Sequence, residues 1–120
     1  MSTTTASAVT GIDISGYLVS DPQRAIAFYR DTLGLVPTEI DEHGRGAEFT
    51  LADGATFGVW QTPEKEVGGF VMLAVPDVRA KVAALQAAGV EISPVDETPV
   101  CYMAFGKDPD GNAYILHQRK

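Results

Sequence analysis

The chain has 120 residues, 45% of them apolar and 21% charged; that is one globular domain's worth of material and excludes a wholly disordered or fibrous chain. Sixteen acidic against nine basic residues leave a net charge of −7, which repels phosphate backbones and anionic lipid, with no Lys/Arg cluster to offset it. No run approaches the ~20 apolar residues of a membrane span. Nucleic acid and membrane are therefore excluded as partners, and a neutral or cationic small molecule is favoured.

The predicted elements follow in chain order. Met1–Thr10 is rich in Ser, Thr and Ala, lacks the basic start and apolar centre of a secretory signal, and reads as a disordered tail. Ile12–Val19 reads as a strand. Asp21 suits a helix N-cap, with Pro22 at the first helical position, where its missing N–H costs nothing. Ala25, Ile26, Tyr29 and Leu33 share one helical face, and Gly34 stops the helix. Three β-prone runs come next: Leu35–Ile40, Gly46–Leu51 and Ala55–Gln61, the last two joined by an Asp53-Gly54 turn. Residues 62–67, with Pro63 and mixed charges, read as a linker.

The second half repeats this grammar. Phe70–Val75 is a strand, Asp77 a cap, Val78, Val82 and Leu85 an apolar helix face, and Gly89 the stop. Runs Val90–Val95, Val100–Phe105 and Asn112–Gln118 follow, with a turn at Asp110-Gly111. Val19 to Ala27 overlays Val75 to Ala83 at an offset of 56 residues, and Asp53 to Gln61 overlays Asp110 to Gln118 at 57. Two stretches agreeing on nearly one offset mark an internal duplication. The expectation is an α+β domain over residues 11–119 made of two tandem βαβββ modules, 11–61 and 68–119. They form a curved, cup-like mixed sheet with helices outside, and the concavity is the place for a small molecule.

The tandem order, the phrase Ala27-Phe28-Tyr29-Arg30-Asp31-Thr32-Leu33-Gly34-Leu35 after Val19-Ser20-Asp21, and Asp108-Pro109-Asp110-Gly111-Asn112 together resemble the vicinal oxygen chelate superfamily. It includes glyoxalases, ring-cleaving dioxygenases, fosfomycin-modifying enzymes and bleomycin resistance proteins. The resemblance covers residues 11–119; metal-dependent members of that superfamily hold a divalent ion with four His/Glu-type ligands, one from the first and one from the last strand of each half. The matching positions are seven residues before each capping Asp and four after each turn Gly, namely Ile14, Phe70, Gly58 and Ile115. None carries a donor atom for a cation. A slip of one residue to Asp13 or Ser15 points to the other sheet face. The expectation is no metal and no cofactor.

Other chemistry is absent by motif. Gly44-Arg45-Gly46 does not continue into a phosphate loop. Asp108-Pro109-Asp110-Gly111 opens like a calcium loop but has Arg119 at its twelfth position. Cys101, the single cysteine, has no partner for a disulfide, reads as a buried thiol and suits a reducing cytoplasm. Strand alternation places Trp60 beside Gly58, His117 beside Ile115, and Met72 beside Phe70 on the cup face. Either Cys101 with Met103 or Tyr102 with Ala104 joins them, and either Phe49 or Glu48. Trp60 offers a stacking plane for a planar or cationic ligand, and His117 one hydrogen bond. Two readings result. One is a metal-free binder, sequestering an aromatic or cationic compound as the bleomycin-resistance branch does, in a homodimer. The other is a lyase or dioxygenase with unusual ligands such as His117 and Glu48, or with metal-independent acid/base residues.

Overall fold

Asp21 caps the first helix as its position requires: Oδ1 accepts from the Arg24 N–H at 3.2 Å, and Pro22 takes the first turn. Asp77 repeats the device at Ala80 N–H, 3.0 Å away. A computed structural model of the chain describes residues 8–120. Its elements are β1 (Gly11–Leu18), α1 (Pro22–Ala27), β2 (Glu39–Ile40), β3 (Gly46–Thr50), β4 (Thr56–Trp60), β5 (Gly68–Ala74), α2 (Val78–Ala87), β6 (Asp96–Glu97), β7 (Cys101–Lys107) and β8 (Ala113–Arg119). After α1 the chain continues in a π-helical turn over Phe28–Thr32. The βαβββ order occurs twice, and the α+β class holds.

Contacts divide the chain into an amino-terminal unit, Ile14–Phe70, and a carboxy-terminal unit, Val71–Lys120 with the described residues up to Asp13. Residues 62–67, read from the sequence as a linker, lie within the amino-terminal unit, and the first residues of β1 group with the second module. The predicted tail falls mostly outside the described residues. Thr10 does not belong to it: its N–H and hydroxyl both reach Ala74 O, at 2.9 and 3.3 Å.

In the amino-terminal unit the strand order is β2-β3-β4-β1. β3 pairs antiparallel with both neighbours, while β4 runs parallel to β1, aligning Gly16 with Gly58 and Leu18 with Trp60. Ile26 of α1 packs on Ala47, Phe49 and Val59, with Tyr29, Leu35 and Phe57 around them. The carboxy-terminal unit has the order β5-β8-β7-β6. There Val78 and Val82 of α2 pack on Val75, Ala104 and Leu116. Gln118 Oε1 accepts from the Val78 N–H at 2.9 Å, satisfying a donor the helix leaves open at its start.

Two predicted strands are far shorter than the patterns suggest. Of Leu35–Ile40 only Glu39–Ile40 pairs, and Val90–Val95 has no ladder, with Asp96–Glu97 pairing instead. Pro37 and Pro94 explain this, since each removes a donor from an edge position. Ser93 preserves two ties, its N–H donating to Phe105 O at 3.0 Å and its Oγ accepting from the Phe105 N–H at 2.8 Å.

The β2–β3 turn is organised by one carboxylate. Asp41 accepts from the Arg45 guanidinium at 2.9 and 3.1 Å, and from the His43 and Arg45 backbone N–H groups. These bonds, led by the Arg45 side chain, hold the Asp41 carboxyl well below the usual carboxylate range. Since its folded pKa is depressed, the stabilisation is complete above the unfolded value of about 3.9 and disappears as pH falls through the lower folded value. Acid titration by NMR is expected to leave the His43 and Arg45 amide shifts unchanged down to about pH 4, with movement only below it. Movement centred on the ordinary Asp range would contradict this.

Candidate functional site

In the amino-terminal unit the sheet face turned away from α1 carries the predicted residues Ile14, Gly58 and Trp60. The opposite face is fixed by Phe49 and Val59, which lie in the helix-side core. That settles one alternative: Phe49, 0% exposed, is core, and Glu48 faces the other way, half-buried and directly across from Gly58. Glu39 in turn lies across from Glu48.

Trp60 is the main feature of this face. Its partner across the ladder is Gly46, where a Cβ would fall 2.7 Å from the indole Cδ2 and 2.8 Å from Cε3. At Gly58 a Cβ would come within 3.3 Å of the indole Nε1 and 3.2 Å of Ile14 Cγ2. The ring therefore lies down on two glycines instead of standing off the sheet, and Ile14 closes one side. Thr50 and Thr56 share a 3.2 Å hydroxyl contact on the same face. Phe70 also falls in this unit and is buried.

The carboxy-terminal unit has its own candidate face. Ala104 and Leu116 point to α2, and Tyr102 lies beneath the Arg79 guanidinium of that helix, 5.2 Å from ring centroid to Cζ. Cys101 and Met103 therefore take the other side, with Ile115 and His117, and Met103 lies directly across from His117. Cys101 is buried, its Sγ 3.2 Å from Thr98 Oγ1. Met72 is buried in β5.

His117, at a strand end, is only 8% exposed, and its Nδ1 lies 2.7 Å from Asp13 Oδ2. Alternation alone places Asp13 on the wrong side. The correction is physical: Gly11–Asp13 associate with the carboxy-terminal unit, so Asp13 reaches the imidazole. Arg119 Nη2 stands 3.9 Å from Asp13 Oδ1. Sequence reasoning dismisses Asp13, although a lone carboxylate within Gly-Ile-Asp-Ile-Ser is a signal that it needs a partner. It also passes over an open groove of about 530 Å³ near the end of β1, lined by Tyr17, Arg24, Phe28 and Tyr29 among others. There the Tyr29 hydroxyl is pushed up by burial and by nearby Tyr17.

Residues 11–115 match the model of the Glyoxalase/Bleomycin resistance protein/Dioxygenase superfamily. The chain belongs to this superfamily. Solved structures agree on the fold. A chain described as NAD-dependent benzaldehyde dehydrogenase from Legionella pneumophila superposes with TM-score 0.70 at 21% identity, over 89% of this chain and 98% of that one. Methylmalonyl-CoA epimerase from Mycobacterium tuberculosis gives 0.67 at 22%, over 100% and 93%. A superfamily member from Vibrio splendidus 12B01 gives 0.66 at 14%, over 88% and 96%. No curated protein sequence matches the chain.

Metal-dependent members of the superfamily hold a divalent ion, so the donor set at the matching positions is the decisive chemistry. Ile14, Gly58, Phe70 and Ile115 offer no lone pair, and at Gly58 the Trp60 indole and Ile14 crowd the space a longer side chain would need. Among the described residues no group of three or more His, Cys, Asp or Glu side chains is placed to hold a metal ion. These residues do not fit the ion. No helix among the described residues is long and apolar enough to cross a membrane.

Proposed function

We propose that this superfamily member is a metal-independent binder of a small aromatic or cationic compound, and that Trp60 is its recognition plane. The observation that carries the reading is the indole lying over Gly46 and Gly58, which leaves an aromatic surface at this strand position. Glu48, across the ladder from Gly58, adds negative charge beside that surface. An aromatic face with a carboxylate near it attracts planar cations through stacking and cation–π attraction, worth about 0.5–2 kcal/mol beyond area burial. The net charge of −7 adds a favourable field for the approach of a cation. The lone buried thiol of Cys101 fits a reducing cytoplasm as the place of action.

Trp60 is the only tryptophan, so its fluorescence reports this face alone. Titration with N-methylquinolinium is expected to give saturable, one-to-one quenching, with neutral quinoline bound several-fold more weakly. Glu48→Gln should narrow that preference by roughly fivefold, the equivalent of about 1 kcal/mol. Linear, unsaturable quenching by both compounds would remove the reading.

A further inference from the structure

His117 and Asp13 are not used by the proposed binding face, and their chemistry is more specific than packing demands. A carboxylate 2.7 Å from Nδ1 selects the tautomer with the proton on Nδ1. Nε2 then carries a lone pair and acts as an acceptor. Asp13 is the only hydrogen-bond partner of the His117 side chain among the described residues. No buried side-chain N or O atom there lacks a partner. The His117 side chain keeps 9% of its surface exposed, so the imidazole is not fully enclosed.

The surroundings on this face are apolar: Met103 lies across from His117, Phe105 across from Ile115, and Cys101 across from Arg119. Phe105 is 43% exposed, so the wall is open at one end. The charged groups near the dyad are Asp13 itself, Arg119 held towards Asp13, and Asp96, across the ladder from Met103.

We propose that His117, positioned by Asp13, is a metal-independent general base for proton abstraction from a small, flat, largely apolar molecule with one acidic C–H. Asp13 stabilises the imidazolium that forms and stays ionised, as the carboxylate does in hydrolase triads. In a reaction where a leaving group carries the developing negative charge away, the dyad needs no separate oxyanion donor. The reaction class is elimination. The C–H bond breaks, the proton passes to Nε2, the electron pair forms a new π bond, and a leaving group departs with its own pair. The proton then returns to water, so no oxidant, reductant or metal is required.

The probe is 5-nitrobenzisoxazole, whose ring C–H is removed by base while the N–O bond breaks to give a coloured cyanophenolate. At about pH 8, where imidazole is mostly neutral, the full chain is expected to exceed the second-order rate of free imidazole by about 10²-fold or more. His117→Gln should abolish the excess, and Asp13→Asn should lower it by at least about tenfold, because an amide permits the wrong tautomer. His43→Gln in the exposed turn should leave it unchanged, as should EDTA. Long-range ¹H–¹⁵N spectra should show the Nδ1–H tautomer in the parent protein and its partial loss in Asp13→Asn. A rate no better than imidazole, an undiminished His117→Gln variant, inhibition by EDTA, or an Nε2–H tautomer in the parent would each overturn the assignment. Spectra of the parent protein decide the tautomer even where a variant fails to fold. None of these readouts depends on Trp60.

Discussion

Replacing Phe49 with alanine is expected to cost about 3–5 kcal/mol, the range for deleting a buried aromatic side chain. The residue is 0% exposed and sits where α1 meets the sheet, touching the cluster of Ile26, Ala47 and Val59. Its ring also lies 6.4 Å from Tyr29 and 6.0 Å from Phe57, so its loss removes two aromatic contacts as well as volume. Neighbours cannot easily collapse into the space, because Ala47 and Val59 are small and fixed on paired strands. Thermal unfolding should shift down by about 10 °C or more for a chain of this length. Leu51→Ala on the exposed rim of the same strand region is the control, within about 1 kcal/mol of the parent. A Phe49→Ala loss below about 1.5 kcal/mol would mean this core is looser than the contacts imply.

Gly16→Ala should be nearly as damaging, for the opposite reason. β1 approaches β4 so closely at the Gly16–Gly58 pair that an added Cβ would lie 1.8 Å from Gly58 O and 2.9 Å from Gly58 N. The obstruction is backbone, which cannot rotate away, so the strands must separate and the register from Ser15 to Leu18 must give. The expected cost is about 3 kcal/mol, at the upper end for overpacking. The loss should be accompanied by a changed Trp60 emission, since Leu18 is the β1 partner of Trp60. Unaltered stability and emission would show that β1 and β4 are further apart than described. Addition at Gly58 is milder, with the nearest atoms 3.2 Å away.

The duplication is the most legible property of the chain. Asp21 and Asp77 each cap a helix, and the family phrase from Ala27 to Leu35 leads to the correct superfamily. Edge strands are less legible, because Leu35–Ile40 and Val90–Val95 have strand-like composition while Pro37 shortens the ladder of the first and Pro94 denies the second one. The face of Cys101, and that of Phe49 against Glu48, depends on which neighbours the helices cover, and no single strand encodes that. Asp13 escapes a sequence reading for a deeper reason. Period-two alternation describes a residue relative to its own strand, whereas Asp13 takes its partner from β8, more than a hundred residues away. Spacing puts Trp60 on the same face as Gly58, but its resting place on Gly46 requires the cross-strand register.

The central claim is that Trp60 presents a binding plane which works without a resident ion. The direct test is a Trp60 quenching isotherm with N-methylquinolinium on protein purified without chelator, repeated after exhaustive chelation and after adding back Zn²⁺, Ni²⁺ or Mn²⁺. The account predicts superimposable saturation curves under all of these conditions. A curve that disappears on chelation and returns with one of the metals would contradict it.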